Sequence, residues 1–337
     1  MSCFTKLIAP VLLCSGVFST PVHAMLAGDP AGSPPDSPAL RVDPNTAGSP
    51  WAGVGSILVG DKSFSAALIG PRHILTAAHV VSGAEPTAVS FVLHAGSVLS
   101  QRIDARAIHV NPGYQGFVPA ADGIVHDDLA IVELSQPAPQ GVPYYTPFLG
   151  ETTPGTVLTF VGYGATGDGV NGVSNQNAPN TKRVGRNAAD MFALDEDGSG
   201  LVEAFLFDFD GPDASTNRFG GLTLGNQIET TFAGGDSGSP ALLQVDGRWQ
   251  LAGVATFVSH FKDGPSKPGV FGTGGGGMLL SGYAAWIQST VGEVPPVSPV
   301  PESVPSAMWL PGLMLVGLIT AWRRRFQETG SRNATNL

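Results

Sequence analysis

Short apolar runs cut by turn residues constrain this chain more than any other feature. Gly55-Ser56-Ile57-Leu58-Val59, Ala67-Leu68-Ile69, Val89-Ser90-Phe91-Val92-Leu93, Ala130-Ile131-Val132-Glu133-Leu134 and Val157-Leu158-Thr159-Phe160-Val161 all have strand length. Gly60-Asp61, Gly70-Pro71, Asn111-Pro112-Gly113 and Gly167-Asp168-Gly169 punctuate them. That pattern reads as an all-β sandwich or a pair of barrels. Composition agrees, because 45 Gly, 28 Pro and 13% charged residues in 337 leave little room for long charged helices. A single helix is expected near residues 281–291, around Tyr283, Trp286 and Ile287. Acidic residues outnumber basic ones 27 to 17, a net charge of −10. Such a surface repels phosphate backbones, so nucleic acid is not an expected partner.

Both ends carry addressing signals. Lys6, the apolar stretch from Leu7 to Leu13, and Val22-His23-Ala24 make a secretory signal peptide over residues 1–24, with small residues at the two positions a signal peptidase reads. Both cysteines, Cys3 and Cys14, lie inside it. The exported chain then has no cysteine nucleophile, thiolate metal site or redox pair. At the other end a proline-rich linker (292–306) precedes an apolar run and Arg323-Arg324-Arg325. Residues 307–325 are expected to cross a membrane with the arginines left in the cytoplasm, followed by a tail of residues 326–337. Val300-Pro301-Glu302-Ser303, the apolar segment and the arginine cluster together resemble the PEP-CTERM sorting signal of Gram-negative bacteria, with Ser303 where that signal usually has a second proline. The resemblance implies handling by exosortase-type machinery and a final place in the envelope, at the surface or outside the cell.

Three local sequences in the middle of the chain carry chemistry: Leu75-Thr76-Ala77-Ala78-His79, Asp127-Asp128-Leu129-Ala130-Ile131-Val132 and Gly234-Gly235-Asp236-Ser237-Gly238-Ser239-Pro240. Each alone is compatible with an ordinary strand end or surface loop. Together, in the order His, Asp, Ser, they resemble the chymotrypsin-like (trypsin-like) serine proteases over residues 49–291. Subtilisin-like enzymes run Asp, His, Ser, and α/β-hydrolases carry their serine in Gly-x-Ser-x-Gly, which is absent around Ser237. The resemblance implies two six-stranded antiparallel barrels and a short C-terminal helix. It also implies His79, Asp128 and Ser237 as catalytic residues, and the N–H groups of Gly235 and Ser237 as the oxyanion hole. Asp128 is preferred to Asp127 because Leu129-Ala130-Ile131 follows it in the family's register. His73 and His126, beside the motifs, are read as structural or solvent-facing.

The same likeness assigns a substrate pocket to Thr231, Thr256, Val258 and Gly269. Threonine at the floor does not select Arg or Lys, and Val258 narrows the mouth, so small or medium uncharged P1 residues are expected. In the family, a newly cut N-terminal amine pairs with the aspartate before the nucleophile, here Asp236. No Ile-Val-Gly-Gly precedes Ser49, and Arg41-Val42 is the nearest candidate cut, so residues 25–48 are expected to be a propeptide or leader and activation to need no cleavage. No cofactor or catalytic metal is expected. A structural calcium remains a minor expectation at Asp195, Asp197, Ser199 and Gly200, although Leu206 stands where an EF-hand needs glutamate. The reading is an exported serine endopeptidase acting on peptides or proteins. A catalytically silent binding protein of the envelope on the same fold is the alternative.

Overall fold

A computed structural model describes residues 25–96, 98–175 and 180–292. The expected signal peptide, most of the expected linker, the expected membrane segment and the tail lie outside the described residues. Among those described, no helix is long and apolar enough to cross a membrane.

The expected strands form and close on themselves in the first half of the chain. Val54–Val59, Lys62–Gly70, His73–Thr76, Ala130–Leu134, Val98–Val110 and Val89–Ala95 pair in that order into a closed six-stranded barrel. Its interior is filled by apolar residues of these strands, among them Ile57, Leu68, Ile74, Phe91 and Val132, each 1% exposed or less. Burying a side chain of that size stabilises by roughly 1.5–3 kcal/mol.

The second half departs from the expectation of a second closed barrel. Arg183–Ala189, Thr156–Gly162, Pro240–Val245, Arg248–Ser259, Gly274–Leu279, Val202–Asp208 and Met191–Leu194 make one antiparallel sheet, with Thr146–Pro147 added alongside Arg248–Ser259. The sheet is a half-barrel. Its open side is bridged by single contacts instead of a ladder: the Asn187 amide donates to the carbonyls of Asp208 and Thr230, and the Arg186 N–H donates to Ile228 O at 2.9 Å. Four phenylalanines, Phe160, Phe205, Phe207 and Phe232, pack inside it at centroid separations of 4.8–6.4 Å. Strand Gly274–Leu279 makes room for them. A Cβ on Gly275 would sit 2.8 Å from the Phe232 ring, and one on Gly277 would sit 1.9 Å from Val254 O.

The expected helix is Ala284–Val291, entered through a 3-10 turn at Leu280–Tyr283. Residues 25–48, expected as a propeptide or leader, are packed into the domain. Met25–Ala27 is a strand running parallel to Thr166–Asp168. Met25 and Leu26 are fully buried, and Arg41 forms a buried ion pair with Asp36.

Candidate active site

Register brings the first two motif residues together. Thr76 pairs with Ala130 in the antiparallel ladder between His73–Thr76 and Ala130–Leu134. His79 follows the end of one strand and Asp128 precedes the start of the other, so both emerge from the same rim of the barrel. His79 sits in the single helical turn Ala78–Val81. Asp128 is fully buried, and its two oxygens are both used on His79: Oδ1 accepts the His79 main-chain N–H at 2.8 Å, and Oδ2 lies 2.6 Å from Nδ1. A carboxylate on Nδ1 fixes the proton there, so Nε2 is the basic nitrogen. Nε2 lies 2.8 Å from Ser237 Oγ. Asp127 turns the other way, its carboxylate packed where a Cβ on Gly113 would lie.

The loop carrying Ser237 reaches across from the second sheet and is sewn to the first barrel. Ser237 O accepts from Ser65 N at 3.0 Å, and Gly235 O accepts from the Ser65 hydroxyl. Gly238, at φ +84°, comes so close that a Cβ would stand 2.0 Å from Ser65 O. Gly235 also has positive φ, +93°, a conformation that costs other residues roughly 1–2 kcal/mol. No acceptor among the described residues takes the N–H of Gly235 or Ser237, so both donors stay free, as an oxyanion hole requires.

The trypsin-like peptidase domain matches residues 64–254, a span that includes all three motifs. The chain belongs to this family. The N-terminal and PEP-CTERM-like signals fall outside that match.

Beside the Ser237 loop of the peptidase domain lies a cavity of about 240 Å³. Phe232, Ala233 and Gly234 form one wall, and Val258, Gly269 and Lys267 contribute to the other. Two of the four pocket residues expected from sequence, Val258 and Gly269, are there. Thr231 and Thr256 are not: both are buried, and their hydroxyls have no hydrogen-bond partner. The chain meets the cavity from Phe232 onward, through Ala233 and Gly234, one residue past Thr231. The ionisable groups on the lining are His260 and Lys267, with no carboxylate among them.

Asp236, just before the nucleophile, is fully buried. It accepts from Gly164 N at 2.9 Å, from Ala233 N at 3.0 Å and from the N–H of Met25. Burial pushes its carboxyl up to about 7 against those bonds and the charge of Arg183. Arg41, the candidate cut site, is instead a brace, spending its guanidinium on Asp36 and on the carbonyls of Ile228 and Glu229.

The acidic turn proposed for calcium is largely self-satisfied, Asp195 accepting from Ser199 Oγ at 2.6 Å and from Asp197 N at 2.8 Å. A group that sequence reasoning missed lies next to it. His126, expected to be structural or exposed, is buried among carboxylates with Glu203 and Glu196, their ligand-type atoms within 4.8 Å of one another. His126 Nδ1 and Glu203 Oε2 are 2.5 Å apart. Two ligands on one tetrahedral zinc at ~2.0–2.1 Å stand roughly 3.3 Å apart, so this spacing is that of a proton held between the two. The only sequence signal was His126 itself beside the aspartate pair.

Proposed function

We propose that the protein is an exported serine endopeptidase that hydrolyses peptide bonds through an acyl-enzyme. The observation that carries this is the unbroken hydrogen-bond chain from Asp128 through His79 to Ser237. His79 Nε2 takes the Ser237 proton as Oγ attacks the scissile carbonyl, and Asp128 steadies the imidazolium that results. The N–H groups of Gly235 and Ser237 hold the oxyanion, a contribution of about 10²–10³ in rate per donor. His79 then gives the proton to the leaving amine, and water releases the acyl group by the same steps reversed. The cavity walled by Phe232 and Val258 suits small or medium uncharged P1 side chains, and Lys267 with His260 on its lining disfavours Arg and Lys.

Maturation follows from the same site. Signal-peptidase cleavage after Ala24 turns the Met25 N–H, already donating to Asp236, into an ammonium beside that carboxylate. The export cut would then also set the nucleophile loop, with residues 25–48 kept as part of the enzyme. The C-terminal segment, sorted by exosortase-type machinery, would deliver the peptidase to the envelope.

A fluorophosphonate probe tests the central claim. The expected result is one adduct at Ser237, found by peptide mass spectrometry and absent in His79→Ala. A folded protein of which Ser237 stays unmodified, and which binds peptides without cleaving them, returns the binding-protein reading.

A further inference from the structure

We propose that Glu203, with His126 and Tyr283, is a positioning residue that clamps the loop bearing Asp128; the inference rests on the serine-protease reading above. Glu203 lies on strand Val202–Asp208 of the second sheet and is 4% exposed. Its Oε1 accepts the main-chain N–H of Asp127 at 2.9 Å and the Tyr283 hydroxyl. Its Oε2 takes His126 Nδ1. The other ring nitrogen of His126 faces Asp122 Oδ2 at 3.1 Å, and Glu196 approaches Nδ1 at 3.1 Å.

Both ring nitrogens of His126 therefore face carboxylate oxygens. An ionised carboxylate only accepts, so with Glu203 and Asp122 ionised each nitrogen carries a proton and the ring is an imidazolium. Its pKa is raised accordingly: hydrogen bonding and charge from Glu203, Asp122 and Glu196 overcome the opposing effect of burial. The groups facing it are Asp122 from its own loop, Asp195 and Glu196 from the acidic turn and Glu203 from the sheet, with Asp127 and Tyr283 on the far side of Glu203. A buried glutamate with one cationic partner and two neutral donors is stable only while that partner stays charged.

This arrangement grips the chain one residue before Asp128. Asp127 has φ +56°, a left-handed conformation uncommon outside glycine, and its carbonyl is tied to Leu129 N at 2.7 Å. The Glu203 bond to the Asp127 N–H fixes that peptide, and the next side chain is the carboxylate that meets the main-chain N–H and Nδ1 of His79. Triad geometry thus depends on a contact between the first barrel, the second sheet and the C-terminal turn. As pH rises through the raised pKa of His126, the proton leaves, an acceptor nitrogen faces a carboxylate, and the grip loosens. Activity should carry an alkaline limb that belongs to His126 and not to the triad.

Glu203→Gln tests this in the full chain. It should lower kcat on the order of tenfold with KM little changed, well short of the ~10⁴-fold cost of disabling a triad aspartate. It should also remove the alkaline limb and shift the downfield proton resonance of the His79–Asp128 hydrogen bond. Asp122→Asn, at a side chain 43% exposed, guards against misfolding of the first variant: it should move the alkaline limb to lower pH and leave the fold intact. Unchanged kcat, limb and resonance in a folded Glu203→Gln, or an unmoved limb in Asp122→Asn, would overturn the proposal. A wild-type protein that hydrolyses nothing and takes no probe would sink the functional reading instead, while the His79 resonance would still report on the clamp.

Discussion

At the scale of single residues, the nucleophile loop depends on backbone shapes that few side chains permit. Gly238 combines φ +84° with a backbone oxygen 2.0 Å from where a Cβ would stand. Gly60 has φ +61° and open space around it. Gly60→Ala should cost only about 1 kcal/mol, the price of the conformation alone. Gly238→Ala must also push the loop off Ser65, so its thermal midpoint should fall further and probe labelling at Ser237 should vanish. Equal midpoints for the two variants would show that the close approach matters little. Asp128→Asn removes the charge that sets the His79 tautomer. Its kcat on a peptide substrate is expected to drop by about 10⁴ with KM nearly constant.

Among the elements, strand Gly274–Leu279 shows how a sheet can form where sequence gives no strand signal. Glycine is depleted in strands and weakens them. Here four consecutive glycines are buried, pairing with Val202–Asp208 on one side and Arg248–Ser259 on the other. Their missing side chains are what let Phe207, Phe232 and Phe257 close over the strand. Gly277→Ala, with a backbone oxygen 1.9 Å from the new methyl, should destabilise by roughly 1–3 kcal/mol, the usual cost of overpacking. Urea unfolding would measure it, and a variant as stable as wild type would show that the sheet has slack there. The strand that follows Asp128, Ala130–Leu134, was by contrast legible from its apolar run.

Across the whole molecule, buried acid chemistry sets the response to pH. Burial and neighbouring carboxylates raise Asp190 to about 7, and burial raises Glu229 to about 8. Unfolded carboxyls titrate near 4, so the folded state holds more protons through this interval. Stability from these groups is complete at low pH and is lost as pH rises through 7 and 8. His126, also raised, adds the same sign. The denaturation midpoint is therefore expected to be lower at pH 8 than at pH 7, and a flat or rising profile would contradict it. Maturation is testable at this scale too. Ala24→Asp, which spoils the signal-peptidase site, should leave Met25 without its ammonium and Ser237 poorly labelled. Cutting at a protease site inserted before Met25 should restore labelling, and full labelling of the uncut chain would exclude this route of activation.

Sequence by itself determined the class of fold and singled out His79, Asp128 and Ser237, which the fold joins in one hydrogen-bonded chain, because short apolar runs and the motifs around these residues are local properties of the chain. Only the tertiary structure decided which neighbours complete them. That the second sheet stays a half-barrel depends on Asn187 and Arg186 bridging to residues far along the chain. That Phe232 and not Thr231 lines the cavity depends on how the segment before Ser237 packs. The partner of His126 lies 77 residues away at Glu203, and that of Asp236 lies at Met25. Such pairings are set by folding together segments that carry no mark of one another, so no local pattern could announce them.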